Sequence, residues 1–130
     1  MIAVILASGR LDRLYTALSL LVSTAAEGEP ARGLATFEAL APLLDDQLLA
    51  RALRREETPA LSEPGRATFA RTLVELRDTA AELPDCRIWA CAAAVETTGT
   101  ARGDVDAWLD GVLSTPRFLR AIGDARLAVV

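Results

Sequence analysis

Histidine and lysine are both absent from this chain of 130 residues, and all 14 of its basic residues are arginine. Without histidine, neither a Ser-His-Asp triad nor a Cys-His pair can form within the chain. Without lysine, a Schiff base on a lysine amine and a Walker A phosphate loop are both excluded. No G-x-G-x-x-G sequence follows the first predicted strand either, so several common classes of enzyme do not fit.

Cysteine is scarce as well, since only Cys86 and Cys91 occur. Two cysteines cannot complete a structural zinc site unless carboxylates or a second chain contribute ligands. Both lie in one predicted strand, where a rise of about 3.3 Å per residue would place their Cα atoms roughly 16 Å apart. That separation exceeds the reach of a disulfide. We therefore expect two free thiols, no metal and no cofactor.

Aromatic residues make up 5% of the chain and hydrophobic residues 52%, so the predicted core is aliphatic and rich in alanine. The length is that of a single domain, residues 1–130. A net charge of −4 argues against nucleic acid as a partner, and no basic block suggests a membrane surface. The apolar segment 2–6 is too short for a signal sequence, and no segment approaches the length of a membrane span. We expect a cytoplasmic protein.

Hydrophobic periodicity alternates along the chain between that of strands and that of helices. The continuously apolar segment 2–7 predicts a central parallel strand, and the apolar repeat from Leu11 predicts an amphipathic helix that Gly28 and Pro30 end. Similar patterns predict strands at 31–37, 86–91, 108–113 and 126–130, helices at 39–54, 66–83, 92–98 and 116–122, a turn at 101–106, and a mobile or subunit-contacting loop at 56–65. This alternation predicts an α/β fold, a single doubly wound domain with a mostly parallel sheet of about five strands flanked by helices.

Cys91 lies where a predicted strand passes into a helix. Ile88 and Trp89 favour a strand before it, and an alanine-rich helix follows as far as Gly99. Open α/β sheets bind ligands at the edge where strands end and helices begin. A thiol there lies near the positive end of the helix dipole, which favours the nucleophilic thiolate. We therefore interpret Cys91 as the candidate catalytic residue.

The loop after the first strand supplies the candidate substrate-binding residues. If the first strand and the Cys91 strand are neighbours, the guanidinium of Arg10 or Arg13 would lie near the sulfur. The backbone amides of Ser8 and Gly9 would then lie across the same crevice. Ser8, Gly9 and Arg10 are accordingly predicted to bind the substrate.

Several short segments, taken in order, resemble the DsrE/DsrF-like family of small sulfur-relay proteins, to which Tus-type sulfurtransferase subunits are similar. The segments are Ile-Leu-Ala-Ser-Gly (5–9), Leu-Tyr-Thr-Ala-Leu (14–18), Ala-Thr-Phe (35–37), Ile-Trp-Ala-Cys (88–91), Asp-Gly-Val (110–112) and Phe-Leu (118–119). The resemblance covers nearly the whole chain apart from residues 56–65. It implies a doubly wound α/β fold and a cysteine that carries sulfur as a persulfide, and only Cys91 matches that position.

The resemblance further implies a homo- or hetero-oligomer, often a trimer or a hexamer, that works with sulfur donor and acceptor proteins, and we expect a homo-oligomer. The chain departs from the family in having three alanines (92–94) where a hydroxyl is expected beside the cysteine, and in having no histidine. Two alternatives therefore stay open. One is a non-catalytic oligomeric binding or assembly module of the same fold. The other is a thiol redox sensor, although Cys86 is out of reach as a resolving cysteine.

Overall fold

A computed structural model describes residues 1–130 and contains one sheet of five strands with seven α-helices. The strands are β1 (Ile2–Leu6), β2 (Ala31–Ala35), β3 (Cys86–Cys91), β4 (Val112–Leu113) and β5 (Arg126–Val129). The helices are α1 (Leu11–Ala26), α2 (Leu40–Leu43), α3 (Leu48–Ala52), α4 (Glu63–Glu82), α5 (Ala92–Thr98), α6 (Arg102–Trp108) and α7 (Thr115–Ile122). All strand pairs are parallel, in the order β4-β3-β2-β1-β5. The predicted doubly wound α/β fold is confirmed. None of the helices combines the length and the apolar composition that crossing a bilayer requires.

The carboxyl ends of the strands meet at one edge of the sheet. Leu6 of β1 lies beside Ala35 of β2, and Ala35 lies beside Ala90 of β3. Cys91, the last residue of β3, pairs with Leu113 of β4. We call this edge the carboxyl rim and define it as residues 6–9, 35–37, 90–92 and 113–115. Whatever segment follows each of these strands therefore starts at the same place.

The two faces of the sheet are covered unequally. α1 and α4 pack against one face, where a Cβ atom on Gly33 would come within 3.1 Å of Leu21 in α1 and 3.3 Å of Ile88 in β3. A side chain at position 33 would displace these neighbouring side chains by a few tenths of an ångström. On the opposite face α7 covers the sheet, and its Phe118 ring meets the Trp89 ring edge to face with centroids 6.2 Å apart.

The predicted helix over 39–54 is wrong, because the segment folds as a short 3₁₀ turn followed by α2 and α3 with a break between them. In the break, the side chain of Asp45 accepts a hydrogen bond from the backbone N–H of Gln47 at 2.8 Å. Bonds of this kind compete with helix formation. The backbone carbonyls of Leu43 and Asp45 accept hydrogen bonds from Arg77 instead of continuing a helix.

Residues 101–106 were predicted as a turn, and this is also wrong, because most of them belong to α6. Tertiary packing holds the helix in place: Val105 is fully buried, and the ring of Trp108 lies against Arg77. The strand predicted over 108–113 is correspondingly reduced to the two residues of β4.

α4 begins at Glu63, earlier than the predicted Arg66. Ser62 caps the helix by accepting a hydrogen bond from the N–H of Gly65 at 3.1 Å, as N-cap serines do. Pro64 lies in the first turn, where the missing N–H costs nothing. The last three residues of the predicted loop, 63–65, are therefore the start of a helix.

Arg77 of α4 joins three parts of the structure through one buried guanidinium. Its side chain is 4% exposed, and it donates hydrogen bonds to the carbonyls of Leu43, at 3.2 Å, and Asp45. The guanidinium carbon also lies 3.7 Å from the centre of the Trp108 ring, a cation–π contact. Burial lowers the pKa of Arg77, and the carboxylates of Asp78 and Asp45 act in the opposite direction. The link between α2, α4 and α6 thus depends on a desolvated cation.

Arg66 likewise binds backbone carbonyls, here in the segment before α4. Its guanidinium is almost fully buried and donates to the hydroxyl and the carbonyl of Thr58, both at 2.9 Å, and to the carbonyl of Leu61 at 2.8 Å. Glu63 pairs with both Arg66 and Arg55. Residues 58–61, predicted as part of a mobile or subunit-contacting loop, are therefore tied to the first turn of α4.

Replacing Arg77 by methionine is expected to lower the free energy of unfolding by about 3 kcal/mol, because the carbonyls of Leu43 and Asp45 lose a charged donor. Urea denaturation measures this. Arg71→Met is the matched control, since Arg71 lies on the same helix but is exposed. An equal loss of stability in both variants would contradict the role assigned to Arg77.

Candidate functional site

Cys91 lies at the carboxyl rim as the last residue of β3 and the N-cap residue of α5. The predicted passage from strand through cysteine to helix is therefore present. The side chain is on the α7 side of the sheet, the side that also carries Trp89. The residue is 4% exposed, so the thiol is covered in the single chain rather than open to solvent.

A hydroxyl lies beside the sulfur, and it comes from a distant part of the chain. The Sγ atom of Cys91 is 3.9 Å from the Oγ1 atom of Thr115, the first residue of α7. Ser114 caps this helix by accepting a hydrogen bond from the N–H of Arg117. The three alanines of α5 lack a hydroxyl, and Thr115 supplies one across the rim.

The structure does not bring Ser8, Gly9 and Arg10 against Cys91. β2 lies between β1 and β3, so two strand spacings, roughly 10 Å, separate the ends of these strands. Arg10 is exposed, is bound to Asp12 at 2.8 Å, and lines a cleft of about 340 Å³ with residues 56–61. Arg10 or Arg13 was expected near the sulfur only if β1 and β3 were neighbouring strands, and they are not.

Ser8 and Gly9 have local structural contacts instead. The hydroxyl of Ser8 accepts a hydrogen bond from the backbone N–H of Arg10 at 3.1 Å. At Gly9, a Cβ atom would lie 2.7 Å from the backbone oxygen of Glu38, a distance that real Cβ atoms do not show. Gly9 is therefore needed where the loop after β1 passes the turn after β2.

Cys86 lies at the opposite end of β3 and on the other face of the sheet. Burial, followed by the charge of Asp110, raises the pKa of its thiol to about 11. The carboxylate of Asp110 accepts a hydrogen bond from the backbone N–H of Ile88 at 2.8 Å, so its position is set by the strand. Both cysteines are free, and Cys86 has the surroundings of an unreactive core thiol.

A second feature of the rim has no counterpart in the sequence prediction. Phe37 lies two residues after the end of β2. It is 51% exposed and is the only non-glycine residue with a positive φ, +36°. Bulky residues rarely adopt this conformation. The preceding Thr36 donates hydrogen bonds to the carbonyl of Leu6 through its backbone at 2.9 Å and its hydroxyl at 3.1 Å, which fixes the chain on one side of Phe37.

Phe37 lines a cleft of about 400 Å³ between α2 and the turn that joins α5 to α6. One wall is apolar, with Leu40 and Leu44, and the other carries the hydroxyl of Thr100 and the carboxylate of Asp104. Strained residues cluster at functional sites, which makes this cleft a candidate site. In the sequence, however, no local pattern distinguishes Phe37 from a core phenylalanine. Only the backbone conformation singles it out.

Comparison with known proteins gives no family: no protein-family model matches the chain, and no curated protein matches it. The function of the site is therefore inferred from the positions and contacts of its residues.

Deleting the Phe37 ring in two ways measures the strain at this position. Phe37→Gly and Phe37→Ala both remove the ring, but only glycine adopts positive φ freely. We expect the glycine variant to be more stable than the alanine variant by about 1 kcal/mol, as measured by urea denaturation. The usual order, with alanine the more stable, would show that the backbone is not strained.

The raised pKa of Cys86 predicts a loss of stability at high pH. A thiol with a higher pKa in the folded state stabilises the fold below its unfolded pKa, near 9, and this contribution is lost as pH rises towards 11. We expect a decrease of at most about 1 kcal/mol per pH unit over that interval. The decrease should be absent in Cys86→Ala and present in Cys91→Ala. Identical alkaline profiles in both variants would contradict the prediction.

Proposed function

We propose that the protein is a sulfur carrier that accepts and passes persulfide sulfur on Cys91. The observation that carries the proposal is the position of Cys91 at the end of β3, as the N-cap residue of α5, with the Thr115 hydroxyl 3.9 Å from its sulfur. The resemblance to the DsrE/DsrF-like family supports the same residue. Cys86 is excluded from the role by its raised pKa and its position on the other face.

The reaction is a thiol exchange that needs no cofactor. The Cys91 thiolate attacks the outer sulfur of a donor persulfide, a new S–S bond forms on Cys91, and the donor leaves as a thiolate that takes up the proton lost by Cys91. An acceptor thiolate then attacks the outer sulfur, and Cys91 is released. Sulfur atoms and electrons balance over the two steps. The rate depends on nucleophilicity, leaving group and access.

The chain's own residues hold the sulfur rather than transform it. β3 and α5 fix the position of Cys91, and the Thr115 hydroxyl can donate a hydrogen bond to the reduced or the persulfidated side chain. The donor and the acceptor are expected to be proteins, in the cytoplasm, and the carrier a homo-oligomer. With a net charge of −4, nucleic acid is not the expected partner.

A second candidate function is ligand binding without covalent chemistry. The cleft of about 400 Å³ beside the strained Phe37 favours it. Its apolar wall and the opposing Asp104 suit a small molecule that has an apolar part and a hydrogen-bond donor. In this case Cys91 is a structural thiol, and Cys91→Ser would leave the cellular function intact.

Intact-mass measurement after incubation with glutathione persulfide tests the sulfur carrier. Wild type and Cys86→Ser are expected to gain one sulfur atom per chain and to lose it on treatment with a thiol. Cys91→Ser is expected to gain none. Cys86→Ser is the matched control because it leaves a single thiol at the rim.

Two results would overturn the assignment. One is a wild-type chain that gains no sulfur under conditions in which a small-molecule thiol does. The other is a Cys91→Ser chain that gains as much as wild type. A peroxide-induced disulfide between two copies of Cys91, without sulfur transfer, would instead indicate a redox sensor.

A further inference from the structure

The contacts of α7 with the remainder of the chain contain almost no polar component. No backbone hydrogen bond joins α7 to any other helix or strand, and Ser114 satisfies an N–H group of the same segment. Neither Arg117 nor Arg120 forms an ion pair. The only polar contact outside the segment is that between Thr115 and Cys91.

α4, which covers the opposite face, is attached quite differently. Arg66 and Arg77 send buried guanidiniums from this helix into neighbouring segments, where they bind backbone carbonyls. Detaching α4 would break all of these charged hydrogen bonds at once. Detaching α7 would break no bond of this kind.

What holds α7 in place is apolar contact at two residues. Phe118 is fully buried and meets Trp89 edge to face, and Ile122 is also buried. The remaining residues of the helix are exposed. Segments with few buried apolar contacts are those that open locally without global unfolding.

Glycines in unusual backbone conformations precede β4 and follow α7. Gly111 has a φ of +113° and Gly123 a φ of +52°. A Cβ atom would meet nothing within 4 Å at either position, so glycine is needed there for the backbone and not for close packing. Between them, β4 contributes only two residues to the edge of the sheet.

We infer that α7 is a cover over Cys91 that opens as a unit between the end of β4 and Gly123, while β4 and the remainder of the fold stay in place. Opening removes Thr115 from the sulfur and exposes the end of β3 to another molecule's persulfide or thiol. Opening gives another molecule access to the site of the proposed function, and this purpose rests on that function. The opening itself is a property of the fold and is tested without sulfur transfer.

The rate of labelling by a disulfide reagent, 5,5′-dithiobis(2-nitrobenzoate), tests the cover. Cys91 is followed alone in Cys86→Ser, and Cys86 alone in Cys91→Ser. We expect native Cys91 to react at least tenfold more slowly than in urea-unfolded chain, but at least tenfold faster than native Cys86. Its rate should depend only weakly on low urea concentrations, because local opening exposes little surface.

Two substitutions separate local opening from global unfolding. Phe118→Leu weakens the apolar attachment of α7 and should raise the Cys91 rate at least fivefold. Arg77→Met weakens α4 and should raise the Cys86 rate while leaving the Cys91 rate within twofold. Each variant is combined with the single-cysteine backgrounds, and circular dichroism verifies that it is folded.

Three outcomes would overturn the inference. Cys91 could react as fast as in the unfolded chain, which would show no cover. Its rate could equal that of Cys86 and rise equally with urea and with Arg77→Met, which would show access by global unfolding alone. Phe118→Leu could leave the rate unchanged. A chain that opens as expected but gains no persulfide sulfur would instead overturn the proposed function and leave the cover standing.

Discussion

The parallel, in-register pairing of β1, β2 and β3 is the constraint on which the rest of the structure depends. Leu6, Ala35 and Ala90 lie side by side, so the segments after all three strands start from one rim. The chain then crosses from β4 at one edge to β5 at the other, and that crossing carries α7 over the second face. The meeting of Cys91 and Thr115 follows from it, since β3 supplies the sulfur and the crossing supplies the hydroxyl.

Different kinds of interaction attach the helices to the two faces of the sheet. On the face covered by α4, buried guanidiniums bind backbone carbonyls, and a desolvated charge makes those contacts costly to break. On the face covered by α7, a single aromatic contact and one isoleucine are the main attachment. Apolar contacts are not directional and leave no unpaired group when they separate. The thiol at the rim is therefore on the less firmly held side of the molecule.

Local sequence was sufficient to predict the position of Cys91 between a strand and a helix. It was insufficient to predict which residues surround the thiol. Strand-forming residues before it and alanines after it are adjacent in sequence, so the passage from strand to helix was predictable. The position of Arg10 depended on strand order, which periodicity does not encode, and β2 proved to lie between. Thr115 is distant in sequence from Cys91, and only the fold brings the two together. Phe37 was missed because a positive φ leaves no trace in composition or spacing.

The same division applies to the fold as a whole. The sequence by itself determined the α/β class, the parallel sheet and the residues at which β1, α1 and β5 begin, because hydrophobic periodicity and the breaks between periodic segments act over a few residues. Tertiary structure alone decided where the segment 39–54 breaks and that residues 102–106 are helical. Arg77 binds carbonyls in the first segment and the Trp108 ring at the end of the helix that contains the second. Contacts between residues far apart in the chain override local propensity, and they also decide which groups face the sulfur.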